Sequence, residues 1–375
     1  MPARKTTRRN SAAILASGID PMDRLLAYCR AGFEAECAAE LQQRAATLGV
    51  QGYARARPGD AYLSYVVSAG DVSALYRQLS LPGCLIFPRQ LLLAGETLRD
   101  LAPGDRIGGL REALAGVGAV RALWLETADT NEGKALAGFC RKFTSPLCRA
   151  LATDGLLRPA DPTLPRLHLL VLDGSTMIPA LSLPGCGSPW PMGIPRLKLP
   201  REAPSRSTLK LDEALQVLLS EAERARWLRP GMRAVDLGAA PGGWTWQLIR
   251  RHLQVVAVDN GPLQADLLDS GLVEHRREDG FRYRPRRSVD WLVCDMVEQP
   301  IRIARLAADW LYRGDCRHCI VNLKLPMKRR FQEVSRCLDV IHERLKETPH
   351  LLRVRQLYHD REEVSAYLGR VDGRD

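Results

Sequence analysis

The C-terminal half of the sequence predicts an α/β domain built on a doubly wound, mostly parallel sheet. Short apolar strand signals alternate there with helical stretches, and a glycine-rich loop directly follows the first of these strands. The strand signals are Arg233–Leu237, Gln254–Val258, Asp290–Cys294 and Cys319–Leu323. Strands that alternate with helices are typical of a parallel sheet with helices on both faces.

Length and composition indicate a folded protein of more than one domain. The chain has 375 residues, of which 46% are hydrophobic, so there is room for two or three domains with cores of their own. No apolar run is long enough to span a membrane, and the region after Met1 lacks the apolar segment of a signal peptide. We therefore expect a cytoplasmic protein that does not enter a membrane.

The cysteines predict buried thiols and no metal site. The ten cysteines are irregularly spaced, which fits reduced side chains better than a disulfide framework. Cys316 and Cys319 form the only CxxC pair, and a structural zinc site usually needs a second pair at matching spacing.

The charge suggests a polyanionic partner. The net charge is +11, from 54 basic and 43 acidic residues, and a basic surface of this kind fits nucleic acid, although it also fits a solvated face. Arginines crowd one short stretch in which Phe281 and Tyr283 are interleaved, and such a segment can hold phosphates and stack on bases. They are Arg276, Arg277, Arg282, Arg284, Arg286 and Arg287.

The N-terminal half predicts a basic tail, residues 1–22, which we expect to be disordered, followed by a small α+β unit at 23–88. In that unit we expect strands at 25–29 and 62–67, a helix that starts near Phe33, and a helix at 71–79.

A second α+β unit is predicted at 89–184. We expect strands at 123–127 and 167–172, with a helix at 134–151 that Pro146 breaks. The proline-rich residues 185–204 are the best candidate for a linker, and 205–375 form the α/β domain.

The loop after the first strand of the α/β domain carries the strongest chemical signal. Residues 236–244 read DLGAAPGGW and lie between that strand and a helical run at 245–251. Gly238, Gly242 and Gly243 permit a tight turn and close approach of a ligand to the backbone. Ala240 and Pro241 stand where a dinucleotide fingerprint would carry its second glycine, so an adenosyl ligand without a pyrophosphate fits better than NAD. An ordinary strand-to-helix turn would explain only one or two of the glycines.

Two aspartates after the next strands are candidate ligand contacts. Asp259 ends a strand, where its carboxylate could accept both ribose hydroxyls of an adenosyl group, or it could cap the turn at Asn260 and Gly261. Asp279 could reach the adenine amino group from a third loop, or it could be a turn residue before Gly280.

These residues resemble known methyltransferases. Residues 236–244, together with 205–211 (SRSTLKL) and 322–326 (NLKLP), resemble the FtsJ-like ribose 2′-O-methyltransferases. Further segments are similar to the RlmM family from about Leu25 to the end of the chain. They are 30–37 (RAGFEAEC), 128–131 (ADTN), 140–144 (CRKFT), 192–198 (MGIPRLK) and 355–364 (RQLYHDREEV).

The resemblance implies a fold and an activity. The fold is a Rossmann-like class I methyltransferase domain, preceded by a ferredoxin-like domain and a THUMP-type RNA-binding domain. The activity is 2′-O-ribose methylation of a cytidine in 23S ribosomal RNA, with S-adenosylmethionine as cofactor and no metal. We expect a monomer that acts on large-subunit RNA before the subunit is fully assembled.

The resemblance also implies a catalytic set of Lys210, Asp295, Lys324 and Glu363. Asp295 and Lys324 each end a strand signal, so both should project at the ligand-bearing edge of the sheet. The residues expected at the cofactor are Ser207, Gly238, Ala240, Pro241, Gly242, Gly243, Trp244, Asp259, Asp279 and Asp295.

Lys324 is expected to act as the general base. It can do so only when neutral, so its pKa, ordinarily about 10.4, must fall, and we expect repulsion from Lys210 and the sulfonium to lower it. Asp295 would oppose this fall, so we expect it mainly to orient Lys324 and the donor, while Glu363 would position Lys210 or the ribose. Either Glu362 or Glu363 could face the site, and the alternation into Val364 favours Glu363.

Arg141 and Lys142 could contact RNA or could be ordinary charges on a helix surface. Three other functions stay open: a nucleotide-dependent oxidoreductase, which the broken glycine fingerprint disfavours; a non-catalytic RNA-binding protein of the same fold, which the intact lysines disfavour; and an RNA base methyltransferase, for which the sequence has no Asn-Pro-Pro-aromatic motif.

Overall fold

A computed structural model describes residues 22–371, which form two compact units. The N-terminal unit ends at Gly193, and the C-terminal unit begins at Ile194 and also includes Pro82–Ile86. The tail predicted to be disordered lies outside the described residues except for Met22. None of the helices between residues 22 and 371 is both long and apolar enough to cross a membrane.

The N-terminal unit contains one seven-stranded sheet in the order β2-β3-β1-β4-β7-β6-β5, in which only β5 and β6 pair in parallel. Its elements are β1 (Arg24–Tyr28), α1 (Glu34–Thr47), β2 (Gln51–Ala56), β3 (Tyr62–Ala69), α2 (Val72–Leu79), β4 (Gln90–Ala94), α3 (Arg106–Ala113), β5 (Ala122–Thr127), α4 (Asn131–Thr153), β6 (Arg166–Val171) and β7 (Met177–Ser182).

This single sheet crosses the predicted boundary at residue 88. Strand β4 pairs with β1 on one side and with β7 on the other, so strands from both predicted units share one layer. All five residues of β4 are buried, and its continuous apolar run gives no alternation that periodicity could detect.

The predicted break at Pro146 is wrong. Helix α4 runs through this proline without interruption over 23 residues. Proline lacks a backbone N–H and therefore costs the helix one hydrogen bond. Cys140 before the proline and Leu147 and Leu151 after it are buried in one core, and this burial outweighs the loss of one bond.

The proline-rich passage divides between the two units. Its first part ends in a short 3-10 turn, Pro191–Gly193, in which Met192 has a positive φ of 59°. The backbone N–H of Met192 donates to Oε1 of buried Glu126 at 2.6 Å. The other oxygen of Glu126 accepts from the Tyr28 hydroxyl at 3.0 Å and lies 2.8 Å from Nδ1 of His168. This buried network fastens the turn to the sheet of its own unit.

The C-terminal unit has a second seven-stranded sheet in the order β10-β9-β8-β11-β12-β14-β13. Its elements are α5 (Thr208–Leu218), α6 (Glu221–Trp227), β8 (Arg233–Leu237), α7 (Gly243–Ile249), β9 (Gln254–Val258), α8 (Ala265–Asp269), β10 (Val273–Arg276), β11 (Val289–Cys294), α9 (Pro300–Arg313), β12 (Cys316–Lys324), α10 (Arg330–Leu345), β13 (His350–Arg355) and β14 (Glu363–Arg370).

This sheet confirms the predicted α/β class. Strands β8 to β12 are parallel to one another, and β14 and then β13 are added antiparallel at one side. The carboxyl ends of the parallel strands and the start of β14 therefore lie at one edge of the sheet, where ligands bind in folds of this class.

The two cysteines of the CxxC pair lie inside β12 with buried side chains. Burial raises the pKa of the Cys319 thiol well above its ordinary value, which disfavours the thiolate that a metal would need. Within residues 22–371, no cluster of three or more His, Cys, Asp or Glu side chains could hold a metal ion.

Candidate active site

Two lysines and two carboxylates converge at this edge of the sheet. The Lys324 amine lies 2.5 Å from Oδ1 of Asp295 and also contacts Glu363. The Lys210 amine lies 2.5 Å from Oε1 of Glu363 and 3.3 Å from Oδ2 of Asp295. Each lysine thus bridges both carboxylates, so the four groups form a ring of alternating charge. We call Lys210, Asp295, Lys324 and Glu363 the charge ring.

Four different elements supply the charge ring. Lys210 lies in the first turn of α5, Asp295 directly follows β11, Lys324 ends β12 and Glu363 begins β14. The antiparallel register of β12 and β14 pairs Lys324 directly with Glu363. Side chains opposite each other in such a pair have neighbouring Cβ atoms, so the register itself brings these two groups together.

In this register, only one of the two adjacent glutamates faces the lysines. Glu363 is 3% exposed and faces the two lysines. Glu362 is exposed and pairs with Arg330 at 2.7 Å. Consecutive residues of a strand point to opposite faces, so only one of the two can face the site.

The protein groups around Lys324 do not by themselves produce the predicted fall in its pKa, and the part expected of the donor's sulfonium stays a prediction. Burial acts to lower the pKa of Lys324, but the charges of Asp295 and Glu363 and their hydrogen bonds outweigh it, and the pKa is raised. The reason is that two carboxylates contact this amine directly, and an opposite charge at such a distance favours the charged form.

Sequence reasoning missed a buried polar chain behind Asp295. Asn322 donates through Nδ2 to Oδ1 of Asp295 at 3.0 Å, and the Ser365 hydroxyl lies 2.7 Å from Oδ1 of Asn322. The same hydroxyl lies 3.2 Å from Oδ2 of Asp360. A signal was present, because Asn322 and Ser365 stand two residues from Lys324 and Glu363 on their strands and so share a face with them.

The glycines of the loop after β8 are required by its own packing. Gly238 and Gly242 have φ values of 77° and 115°, which favour glycine. A Cβ on Gly242 would lie 2.1 Å from a Leu267 methyl carbon, and a Cβ on Gly243 would lie 2.4 Å from Oγ of Ser207. Between Gly238 and Gly242, the peptide bond from Ala240 to Pro241 is cis.

Asp259 and Asp279 both fill the turn roles that the sequence left open. Asp259 accepts from the backbone N–H of Gly261 at 2.7 Å and from that of Ala240 at 3.0 Å. Asp279 is exposed and accepts from the backbone N–H of Phe281 at 2.9 Å. A carboxylate has about four lone-pair sites, so these bonds leave capacity for a ligand.

Ser207 and Trp244 connect the loop to α5. The Trp244 side chain is only 3% exposed, packs in the core and donates through Nε1 to the backbone oxygen of Ser207 at 3.0 Å. Its indole is therefore a packing group. The Ser207 hydroxyl lies 2.7 Å from that of Ser205, beside Gly243.

Asp236 lies buried under the same loop. Its Oδ2 accepts from the Thr245 hydroxyl at 2.7 Å, whereas its Oδ1 has no hydrogen-bond partner. Burial raises the pKa of Asp236 to about 7, and the nearby charges of Asp295 and Asp259 add to the rise. An orphaned acceptor beneath a glycine loop, with carboxylates at the ends of neighbouring strands, fits an adenosyl group with a positively charged sulfur.

Replacing Asp236 with asparagine should make stability less dependent on pH. The folded-state pKa lies above the unfolded value of about 4, so ionisation destabilises the folded protein as the pH rises from about 4 to about 7, and the penalty is constant above that. Relative to wild type, Asp236→Asn should gain up to about 4 kcal/mol between pH 4 and pH 8. Urea unfolding at the two pH values measures this, and an equal difference at both would contradict it.

The predicted RNA contacts are exposed. Arg141 and Lys142 lie on the surface of α4. Of the arginine-rich stretch, Arg277, Arg282, Arg284, Arg286 and Arg287 are exposed, whereas Arg276 pairs with Glu274. Arg284, Arg286 and Arg287 line a cavity of about 750 Å³ at the amino ends of β8 and β9. This cavity lies at the edge of the sheet opposite the charge ring.

Three parts of the chain match known protein families. Residues 22–92 match the RlmM ferredoxin-like domain, 105–183 match the N-terminal domain of ribosomal RNA large subunit methyltransferase M, and 203–337 match the FtsJ-like methyltransferase domain.

Similar proteins include relatives named ribosomal RNA large subunit methyltransferase M. The one from Methylococcus capsulatus is 54% identical over 347 residues, which cover 92% of this chain and 97% of that protein. The one from Azotobacter vinelandii is 52% identical over 353 residues, which cover 93% and 99%. With the FtsJ-like fold around the charge ring, these matches show that the chain belongs to the ribosomal RNA large subunit methyltransferase M family of S-adenosylmethionine-dependent enzymes.

Proposed function

We propose that this protein methylates the ribose 2′-hydroxyl of a cytidine in 23S ribosomal RNA, with Lys324 as the general base. The relatives are named for methylation of large-subunit ribosomal RNA, and the basic character of the chain, at +11, suits such a substrate. The observation that carries the proposal is the charge ring, which holds two amines and two carboxylates at the ligand-bearing edge of the sheet.

The charges of the ring explain how Lys324 could lose its proton. Two lysines and two carboxylates balance, so the ring is neutral overall while both amines are protonated. S-adenosylmethionine, when bound, supplies an electrophilic methyl group on a positively charged sulfur. A further positive charge beside the ring opposes the charged form of Lys324 and lowers its pKa from the raised value.

Each residue of the charge ring would then have a separate role. A ribose hydroxyl is a poor nucleophile until its proton is drawn off, and neutral Lys324 would accept that proton. Asp295 contacts both lysines and is itself held by Asn322, so it would orient Lys324. Glu363 would hold Lys210 in place beside the ribose.

The remaining predictions complete the proposal. Asp259 and Asp279 would hold the ribose and adenine of the donor, and the glycine loop, with Ser207, would surround it. Residues 89–184 would act as a THUMP-type RNA-binding domain with Arg141 and Lys142 on its surface. The cytoplasmic setting, the monomeric state and action before full assembly of the subunit stay predictions.

Label transfer tests the proposed function. The protein is incubated with methyl-labelled donor and large-subunit RNA that lacks the modification, and the RNA is digested to nucleosides. We expect the label in 2′-O-methylcytidine at one position, and no label when that nucleotide lacks its 2′-hydroxyl. A methyl group on a base would contradict the 2′-O assignment.

A further inference from the structure

The loop at 356–362, between β13 and β14, leads directly into Glu363 of the charge ring. The strands pair as far as Arg355 and Ser365, so the loop extends beyond the carboxyl edge of the sheet. Tyr358 and His359 lie on it with their rings edge to face, at 5.1 Å between centroids and 85° between planes. Tyr358 is half-buried, and neither ring belongs to the proposed chemistry.

Two buried carboxyl groups hold this loop. Glu213, which is 1% exposed and three residues after Lys210 on α5, accepts from the backbone N–H groups of Tyr358 and His359, each at 2.8 Å. Its Oε2 also lies 2.7 Å from Nδ1 of His359. Asp360 is fully buried and accepts from the backbone N–H of Leu357 at 3.0 Å.

Burial of a carboxyl group is costly unless hydrogen bonds compensate for the lost water. Here the compensating bonds go to the backbone of a surface loop, and they fix the place of two aromatic rings. Rigid loops of this kind commonly carry binding residues.

The loop lies on the side of Lys324 away from the expected donor site. In the order β9-β8-β11-β12-β14-β13, the glycine loop and Asp259 follow β8 and β9, Lys324 ends β12, and the loop at 356–362 joins β14 and β13. Methyl transfer needs the accepting oxygen in line with the transferred carbon, on the side away from the leaving group. The acceptor nucleotide should therefore approach from the side of β14.

A positive charge lies over the Tyr358 ring. The guanidinium of Arg196 lies over one face of the ring, with its carbon 6.0 Å from the ring centroid, and Arg196 is exposed. Nucleotides present a flat base and a charged phosphate, and proteins bind single-stranded RNA by stacking bases on aromatic rings and by placing arginines at phosphates.

We infer that Tyr358 and Arg196 form a subsite for the target nucleotide, in which the base stacks on the Tyr358 ring and the adjoining phosphate contacts the Arg196 guanidinium. The inference rests on the proposed methylation of a ribose in RNA. His359, held by Glu213, is a positioning residue that supports the ring of Tyr358.

Substitution of Tyr358 tests the stacking. Stacking needs the ring and not the hydroxyl, so Tyr358→Phe should keep the RNA Kd and kcat/KM of wild type. Tyr358→Ala should weaken both by roughly tenfold, as loss of one stacked base does, and leave the donor Kd unchanged. The matched control is Tyr312→Ala, because Tyr312 is also exposed beside an arginine, with Arg344 at 3.9 Å, but lies on α9. Equal effects of Tyr358→Ala and Tyr312→Ala would overturn the inference.

Removal of the target base gives a sharper test. An RNA fragment is made with an abasic ribose at the methylated position. Wild type should bind it roughly tenfold more weakly than intact RNA, whereas Tyr358→Ala should lose nothing further. Equal losses in both proteins would overturn the subsite. If the base were the methyl acceptor, the abasic RNA would accept no label at all, so failure of the proposed function is distinguishable.

Arg196→Ala tests the phosphate contact independently of the folding of the Tyr358 variants. Loss of one phosphate contact on a single strand should reduce the slope of log Kd against log salt by about 0.7. An unchanged slope would contradict the role of Arg196.

Discussion

Lys324→Arg should abolish methyl transfer while the protein still binds its donor. Arginine keeps the positive charge that pairs with Asp295 and Glu363, so the charge ring can persist. The guanidinium stays protonated throughout the accessible pH range, however, and cannot accept a proton from the ribose. General-base assistance contributes roughly a hundredfold to ten-thousandfold, and we expect a loss of about a thousandfold in single-turnover rate.

Single-turnover label transfer and donor titration measure the two parts of this expectation. Lys324→Ala should lose activity to the same extent, since it too has no base. Lys346→Arg is the matched control, because Lys346 also pairs with a carboxylate, Glu343 at 3.0 Å, but is exposed. Activity of Lys324→Arg within tenfold of wild type would mean that Lys324 acts by its charge and that the base lies elsewhere.

The edge of the sheet that carries the site follows from the sequence, because parallel strands end on the same side. Asp295 and Lys324 each close a strand signal, and the structure brings them to 2.5 Å. Glu363 cannot be placed by that reasoning, since it begins β14, which runs antiparallel, and the four strand signals of the α/β domain include neither β13 nor β14. Its role comes from resemblance, and its contact with Lys324 comes from a register that only the folded sheet shows.

The sequence alone does not determine whether the pKa of Lys324 is raised or lowered. With repulsion from Lys210 and the sulfonium taken to outweigh Asp295, the pKa should fall. With Asp295 and Glu363 in direct contact, it rises. Interactions between charges change by several kcal/mol over a few ångströms in a partly buried site, so the outcome depends on distances that no motif contains. The continuous strand β4 is a similar case, since pairing on both sides decides its place in the sheet.

Glu363→Gln should lower the activity more at alkaline pH than at neutral pH. The carboxylate of Glu363 helps to raise the pKa of Lys324, so its loss should lower that pKa. The neutral base then forms at lower pH, and the rising limb of the pH profile moves to lower pH. Lys210 also loses the negative charge of its partner at 2.5 Å, so the limiting rate should fall by about a hundredfold.

These two effects oppose each other at neutral pH, where the larger neutral fraction of Lys324 offsets part of the lost positioning. The expected loss is therefore about tenfold on the rising limb of the pH profile and about a hundredfold on its plateau, measured as single-turnover rates. Glu362→Gln is the matched control, because Glu362 is the adjacent residue, is exposed and pairs with Arg330. It should change neither the rate nor the profile. A uniform loss at all pH values in Glu363→Gln would mean that Glu363 only positions Lys210, and a shift to higher pH would exclude Lys324 as the group that titrates.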